Sequence, residues 1–121
     1  MNYESRTRIE SKVRPGVAFV IAKMSFGRRM DLIGRIRDVA AKAEFSNAGP
    51  SAPEKLQAAL LAAEIDRIYL SWGLQEVVGL EVDGAAGTPE LLATAGPEDL
   101  FREAVSAIKA ECGLSEDERK N

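Results

Sequence analysis

From Tyr3 to Val13 the chain alternates with a strict period of two. Tyr3, Ser5, Thr7, Ile9, Ser11 and Val13 fall on one side; Glu4, Arg6, Arg8, Glu10 and Lys12 fall on the other. That period belongs to a β-strand with one charged face and one small or apolar face. Pro15-Gly16 follows, a pair in which proline presets φ and glycine accepts a positive one. Val17 to Met24 is then rich in β-branched and aromatic residues and can pair back on the first strand. The first 24 residues therefore read as a β-hairpin.

The pattern then changes to helical. Ser25 can cap a first helix from about Gly27 to Glu44, in which Leu32, Ile36, Val39 and Ala43 make one apolar stripe. Arg28, Arg29, Arg35, Arg37 and Lys42 make much of the rest basic. Gly34 weakens this helix by about 1 kcal/mol relative to alanine. Asn47-Ala48-Gly49-Pro50 reads as a loop, and Ser51-Ala52-Pro53-Glu54 as a capping box. A second helix is expected from about Ala52 to Trp72, with Ala58, Leu61, Ile65, Ile68 and Trp72 on its apolar side and Gly73 ending it. Glu76 to Val82 reads as one short strand closed by Asp83-Gly84, and Ala85 to Gly87 as a loose loop. Thr88-Pro89-Glu90 opens a short helix that Gly96 ends. Pro97 starts another, to about Cys112, with Phe101, Ala104, Val105, Ile108 and Cys112 as its buried stripe. Gly113-Leu114 looks like its C-terminus, and Ser115 onward reads as a frayed tail. The expected fold class is α+β: one domain over residues 1–121, with an N-terminal hairpin, a mostly helical part over 25–114, a possible short extra strand and a tail at 115–121.

The chain has no histidine and one cysteine among its 121 residues. Ser-His-Asp, Cys-His and His-metal chemistry are thereby excluded, and no internal disulfide can form. Cys112 reads as a small apolar residue on a helix face. No Gly-Lys-Ser/Thr follows the glycines at 84 and 87, so no phosphate loop is drawn. Glu64 and Asp66 lie two apart on a helix and point different ways; Glu81 and Asp83 read as solvated surface. No catalytic residue, metal site or cofactor is expected, and the chain reads as a binding protein rather than an enzyme.

Charge is unevenly spread. Met1 to Asn47 carries ten basic and five acidic residues, a net of +5, whereas Ala48 to Asn121 carries six and fourteen, a net of −8. Such asymmetry suits head-to-tail self-association or a charged partner. The arginine helix, with Phe26-Gly27-Arg28-Arg29 leading to Arg35 and Arg37, offers phosphate contacts as a rival reading. Aromatic content of only 6% argues against a base-stacking platform. The longest apolar run, Val17 to Ala22, has the length of a strand, so no membrane span is expected. Met1 to Glu10 is polar, unlike a secretory signal.

Trp72-Gly73-Leu74, Val78-Gly79-Leu80-Glu81-Val82-Asp83-Gly84, Thr88-Pro89-Glu90-Leu91-Leu92 and Gly96-Pro97-Glu98-Asp99-Leu100 together resemble small tail proteins of long-tailed phages and prophages, the tail assembly chaperones and their neighbours. The resemblance covers Ile68 to Asn121. The Arg14-Pro15-Gly16-Val17 turn and Ser25-Phe26-Gly27-Arg28-Arg29 resemble the group more weakly. The resemblance implies a non-enzymatic role in the host cytoplasm: binding the tape-measure and tail-tube proteins during tail assembly, with self-association along an extended client. The residues expected to bind partners are Tyr69, Trp72 and Leu74, with Arg28, Arg29 and Arg35 as electrostatic contributors. The alternatives are a tail-completion or head–tail joining subunit that stays in the virion, and a small nucleic-acid-binding regulator.

Overall fold

The structure, a computed structural model, describes residues 1–47 and 52–113. Its element order is β1 (Arg6–Glu10), β2 (Ala18–Ala22), α1 (Phe26–Asn47), α2 (Ala52–Gly73), β3 (Leu74–Val78), β4 (Glu81–Val82), β5 (Ala85–Ala86), α3 (Pro89–Thr94) and α4 (Glu98–Cys112). The fold is α+β. The chain divides into two compact units. The first joins Met1–Met24 to Tyr69–Gly113, and the described part of the second is residues 25–47 and 52–68.

The hairpin forms as its alternation requires. β1 and β2 pair antiparallel, with Arg8 opposite Val20 and Ile9 opposite Phe19. Val17 N–H donates to Arg14 O at 3.2 Å across Pro15-Gly16, closing the expected turn. Thr7 and Ile9 are half-buried while Arg6, Arg8 and Glu10 are exposed. β2 is the middle strand, because β3 pairs on its other side. Ala18 faces Val78 and Val20 faces Glu76, with an irregularity between Val20 and Ile21.

The single strand expected over Glu76 to Val82 is two strands in two sheets. Gly79, at φ +80, turns the chain out of β3. β4 then pairs with β5. Asp83 (φ 52) and Gly84 (φ 83) both have positive φ, which is the two-residue type I′ hairpin turn. Ala85 and Ala86, expected in a loose loop, are therefore β5. Gly87 N–H continues the pairing to Leu80 O at 2.8 Å. The turn chemistry of Asp-Gly outweighs the low strand propensity of two alanines.

α4 packs against β2 and α3 against both α4 and β3. The core of this unit includes Phe19, Ile21, Tyr69, Leu70, Leu92, Leu100, Ile108 and Cys112. Leu100, Ala104, Val105, Ile108 and Cys112 make the buried face of α4; Phe101, expected there, is half-buried, so the stripe begins one residue earlier. Thr88 caps α3, its hydroxyl accepting from Leu91 N–H at 3.1 Å. Gly113, at φ 60, caps α4 by donating to Lys109 O. Glu98 and Asp99 in the first turn of α4 and Lys109 in its last complement the helix dipole.

In the second unit Ser25 caps α1 as expected: its hydroxyl accepts from Arg28 N–H at 3.2 Å. Leu32 and Ile36 are fully buried and Val39 is half-buried; Ala43 lies outside the described side chains. So do the Asn47–Pro50 loop beyond Asn47, the capping box at Ser51 and the tail from Leu114. On α2, Ala58 is buried, and Leu61, Ile65, Ile68 and Trp72 are half-buried. A methyl added at Gly34 would meet nothing within 4 Å. Gly34→Ala should therefore raise the unfolding free energy by about 1 kcal/mol, the helix-propensity difference. A urea titration in which the midpoint falls would refute that.

Candidate functional site

The residues expected to bind partners are placed very differently from one another. Tyr69 and Leu74 are core residues, 1% and 4% exposed, and Trp72 is half-buried. They sit where α2 runs into β3 against α4. The approach there is close: a methyl on Gly73 would lie 2.6 Å from Ile108 Cγ2. The Lys109 ammonium stands 5.3 Å from the Tyr69 ring centroid, within cation–π range. Tyr69 and Leu74 thus hold the first unit together and are not on its surface.

Arg35 is exposed and bonds Asp31 at 2.9 Å, one helical turn away. Arg28 and Arg29 are half-buried and each is engaged in an interaction within the chain. The basic face of α1 is therefore partly neutralised by Asp31, four residues before Arg35.

Other large apolar side chains are exposed, among them Tyr3 and Val13 in the first unit, at 61% and 49%. Leu56 and Leu60 on α2 are 64% and 59% exposed, and Phe26 and Met30 on α1 are 81% and 48% exposed. Each is an i,i+4 pair, so each forms one apolar spot on its helix. Sequence reasoning passed over Leu56 and Leu60 because the stripe through Ala58 and Leu61 satisfied the helical period without them. The available signal was an extra apolar pair beside a complete stripe, more than one buried face requires.

In the first unit the outer face of the three-stranded sheet is polar. A shallow groove of about 280 Å³ is bordered by Arg6, Arg8 and Lys23 together with Glu4 and Glu76, over Val20. Lys23 lies 5.4 Å from the Tyr3 ring centroid. Arg8 and Glu10 bond each other at 2.9 Å along β1.

A carboxylate latch fixes the connection between β1 and β2. Glu103 of α4 accepts from the Ser11 hydroxyl at 2.5 Å, from Lys12 N–H at 2.8 Å and from Val13 N–H at 3.3 Å. Ser11 Oγ in turn accepts from Arg14 N–H at 3.0 Å. Arg14 reaches Asp99, one turn earlier on α4, at 3.1 Å. Burial pushes the Glu103 carboxyl up, but the hydrogen bonds from Ser11, Lys12 and Val13 outweigh it, even against the nearby Asp99 charge. Its pKa ends below the ordinary glutamate value. All its donors belong to the turn it holds, so this cluster is accounted for by the fold.

No family model matches this sequence, and neither the curated proteins nor the solved structures give a match. Among the described residues, no group of three or more acidic or cysteine side chains could hold a metal ion. No helix among them is long and apolar enough to cross a membrane. Among the described residues, the surface features that remain include the two apolar pairs of the second unit and, in the first, the exposed Tyr3 and Val13 and the charged sheet face and edge.

Proposed function

We propose that this chain is a non-enzymatic binding protein that acts on helical clients, in the manner of the phage tail assembly chaperones it resembles. The clients would be the tape-measure and tail-tube proteins of a long-tailed phage or prophage, bound in the host cytoplasm. The observation that carries the reading is the Leu56–Leu60 pair, two large apolar side chains each more than half exposed and one turn apart on α2. Apolar anchors at i,i+4 are how a helix engages another amphipathic helix. Tyr69 and Leu74 leave this reading as scaffold, and Leu56 and Leu60 take their place as anchors.

A pull-down of the tagged chain from phage-infected or prophage-induced cells tests it. The expected catch is a long helical tail protein or the tail-tube subunit. Leu56→Asp with Leu60→Asp should cut that catch at least about tenfold, while the thermal midpoint stays within the small range of surface substitutions. Recovery of nucleic acid that washes off with salt, and no tail protein, would sink the proposal and favour the arginine helix. A subunit retained in the virion is the second reading, favoured by the open edge of β1. Mass spectrometry of purified particles separates it from a chaperone, which is absent from them.

A further inference from the structure

The apolar pair on α2 is part of a longer row. Leu56, Leu60, Ala63 and Arg67 stand four, three and four residues apart, and all are exposed. At about 100° per residue they fall within one narrow strip of the helix. That strip faces away from Ala58, Leu61, Ile65 and Ile68, the more buried side of α2. Its spacing is that of the d, a, d and a positions of a coiled coil, whose side chains seat between those of a facing helix. The next position in the row, Leu70, is 1% exposed and belongs to the core of the first unit. The free seam therefore ends at Arg67.

Arg67 says what must lie opposite. Docking a helix on the seam strips water from the guanidinium, which is costly unless a counter-charge meets it. Among the described residues no carboxylate pairs with Arg67. The exposed Glu64 lies about 60° round the helix, at the flanking e position, where charges refine pairing without entering the seam. We propose that α2 docks one amphipathic helix of the client as a short coiled-coil seam, and that Arg67 selects a client helix bearing Asp or Glu at the seam position opposite it. The leucines give apolar contact that any amphipathic helix can use. The arginine sets register, as a single polar seam position does in coiled coils. Ala63 is small and lets the facing helix come close beside the ion pair. A leucine opposite Arg67 leaves the guanidinium unpaired, and a lysine is repelled. The inference rests on the helical-client reading above and adds to it the charge of the client and the place of that charge.

Fluorescence anisotropy of labelled helical peptides, titrated with the full chain up to about 1 mM, tests it. The peptides share one leucine seam and one set of flanking residues. They differ at a single seam position, which carries Glu, Gln or Lys. That position stands at the C-terminal end of the seam in one series and at the N-terminal end in the other, to suit parallel and antiparallel docking. With the wild-type chain, one of the two Glu peptides should bind at least about fivefold more tightly than its Lys counterpart, with Gln between them. Arg67→Glu should reverse that order in the same series. Arg67 is exposed, so the thermal midpoint of this variant should stay within the small range of surface substitutions. If the variant does not fold, the Glu, Gln, Lys order on the wild-type chain decides alone. Leu56→Asp with Leu60→Asp should abolish binding of every peptide. Peptides that bind equally whatever their charge, and are lost with the two aspartates, would overturn the role of Arg67 and leave the helical-client reading standing. Failure of every peptide to bind would overturn both. Sedimentation of the chain alone over the same range should show a monomer. A dimer abolished by the two aspartates would assign the seam to a second copy and overturn the proposal.

Discussion

Gly79→Ala is expected to lower the unfolding free energy by about 3 kcal/mol or more, the largest effect of a methyl added at any of the described glycines. Gly79 has φ +80, a conformation that side-chain-bearing residues seldom adopt. The space is also taken. An added Cβ would lie 2.1 Å from the Gly16 carbonyl oxygen, 3.2 Å from its carbonyl carbon and 3.5 Å from Val17 Cα. These are backbone atoms of the turn between β1 and β2, so no rotamer change relieves the clash. Moving Gly16 would strain the Pro15-Gly16 turn and the latch that Glu103 places on the residues before it. Gly79 is also the point where β3 ends and the chain leaves for β4, so a displaced residue 79 would disturb both sheets. Urea unfolding would show the loss as a lower midpoint. Gly34→Ala, with the same chemistry in open space, should move the midpoint the other way. A Gly79→Ala change below about 1 kcal/mol would mean that the approach to Gly16 is looser than the structure has it.

Glu103→Ala should cost about 2 kcal/mol, because it strips the buried Ser11 hydroxyl and two backbone N–H groups of their acceptor. Lys12 and Val13 are exposed, so water replaces part of what those two lose. The carboxylate form is the one stabilised by the fold, since the Glu103 pKa is lowered in the folded chain. Its contribution is therefore fully present above the unfolded-state value, about 4.3, and is lost as pH falls through the lower folded value. Glu103→Gln keeps the size and removes the titration. The stability gap between wild type and Glu103→Gln should be constant from about pH 7 to pH 5 and shrink below about pH 4. A gap that stays the same down to about pH 2 would show that the charge contributes nothing to the latch.

Local chemistry made much of the fold legible. The period of two at Tyr3–Val13, the Pro15-Gly16 turn, the Ser25 and Thr88 caps and the Gly113 terminus are each set by residues a few positions apart, and each is found where it was expected. The split of Glu76–Val82 into β3 and β4 was less legible. An isolated glycine in an apolar run is compatible with an uninterrupted strand, and only the approach of Gly79 to Gly16, far away in the chain, makes the bend obligatory. The Asp83-Gly84 turn was visible, but its hairpin was missed because Ala85-Ala86 has no strand propensity of its own.

The candidate site was less legible than the fold, for a related reason. Tyr69, Trp72 and Leu74 stand out in sequence because they are large and apolar, but size and apolarity serve a core as well as an interface. The structure puts Tyr69 and Leu74 in the core and leaves Leu56 and Leu60 outside. The Asp31–Arg35 pair was legible in the sequence, since the two stand four residues apart on one helix.

By itself the sequence determined the class of fold, most of the element boundaries, and the absence of histidine-based chemistry. All of these follow from residue identity, periodicity or near-neighbour hydrogen bonding. Only the tertiary structure decided that β2 is the middle strand, that Glu103 holds a turn about ninety residues away in sequence, and that β1 is an edge strand with Arg6, Arg8 and Glu10 exposed. Helical and strand periods say which residues share a face, but not what lies opposite that face. That depends on which distant segments meet, and packing of the whole chain settles it.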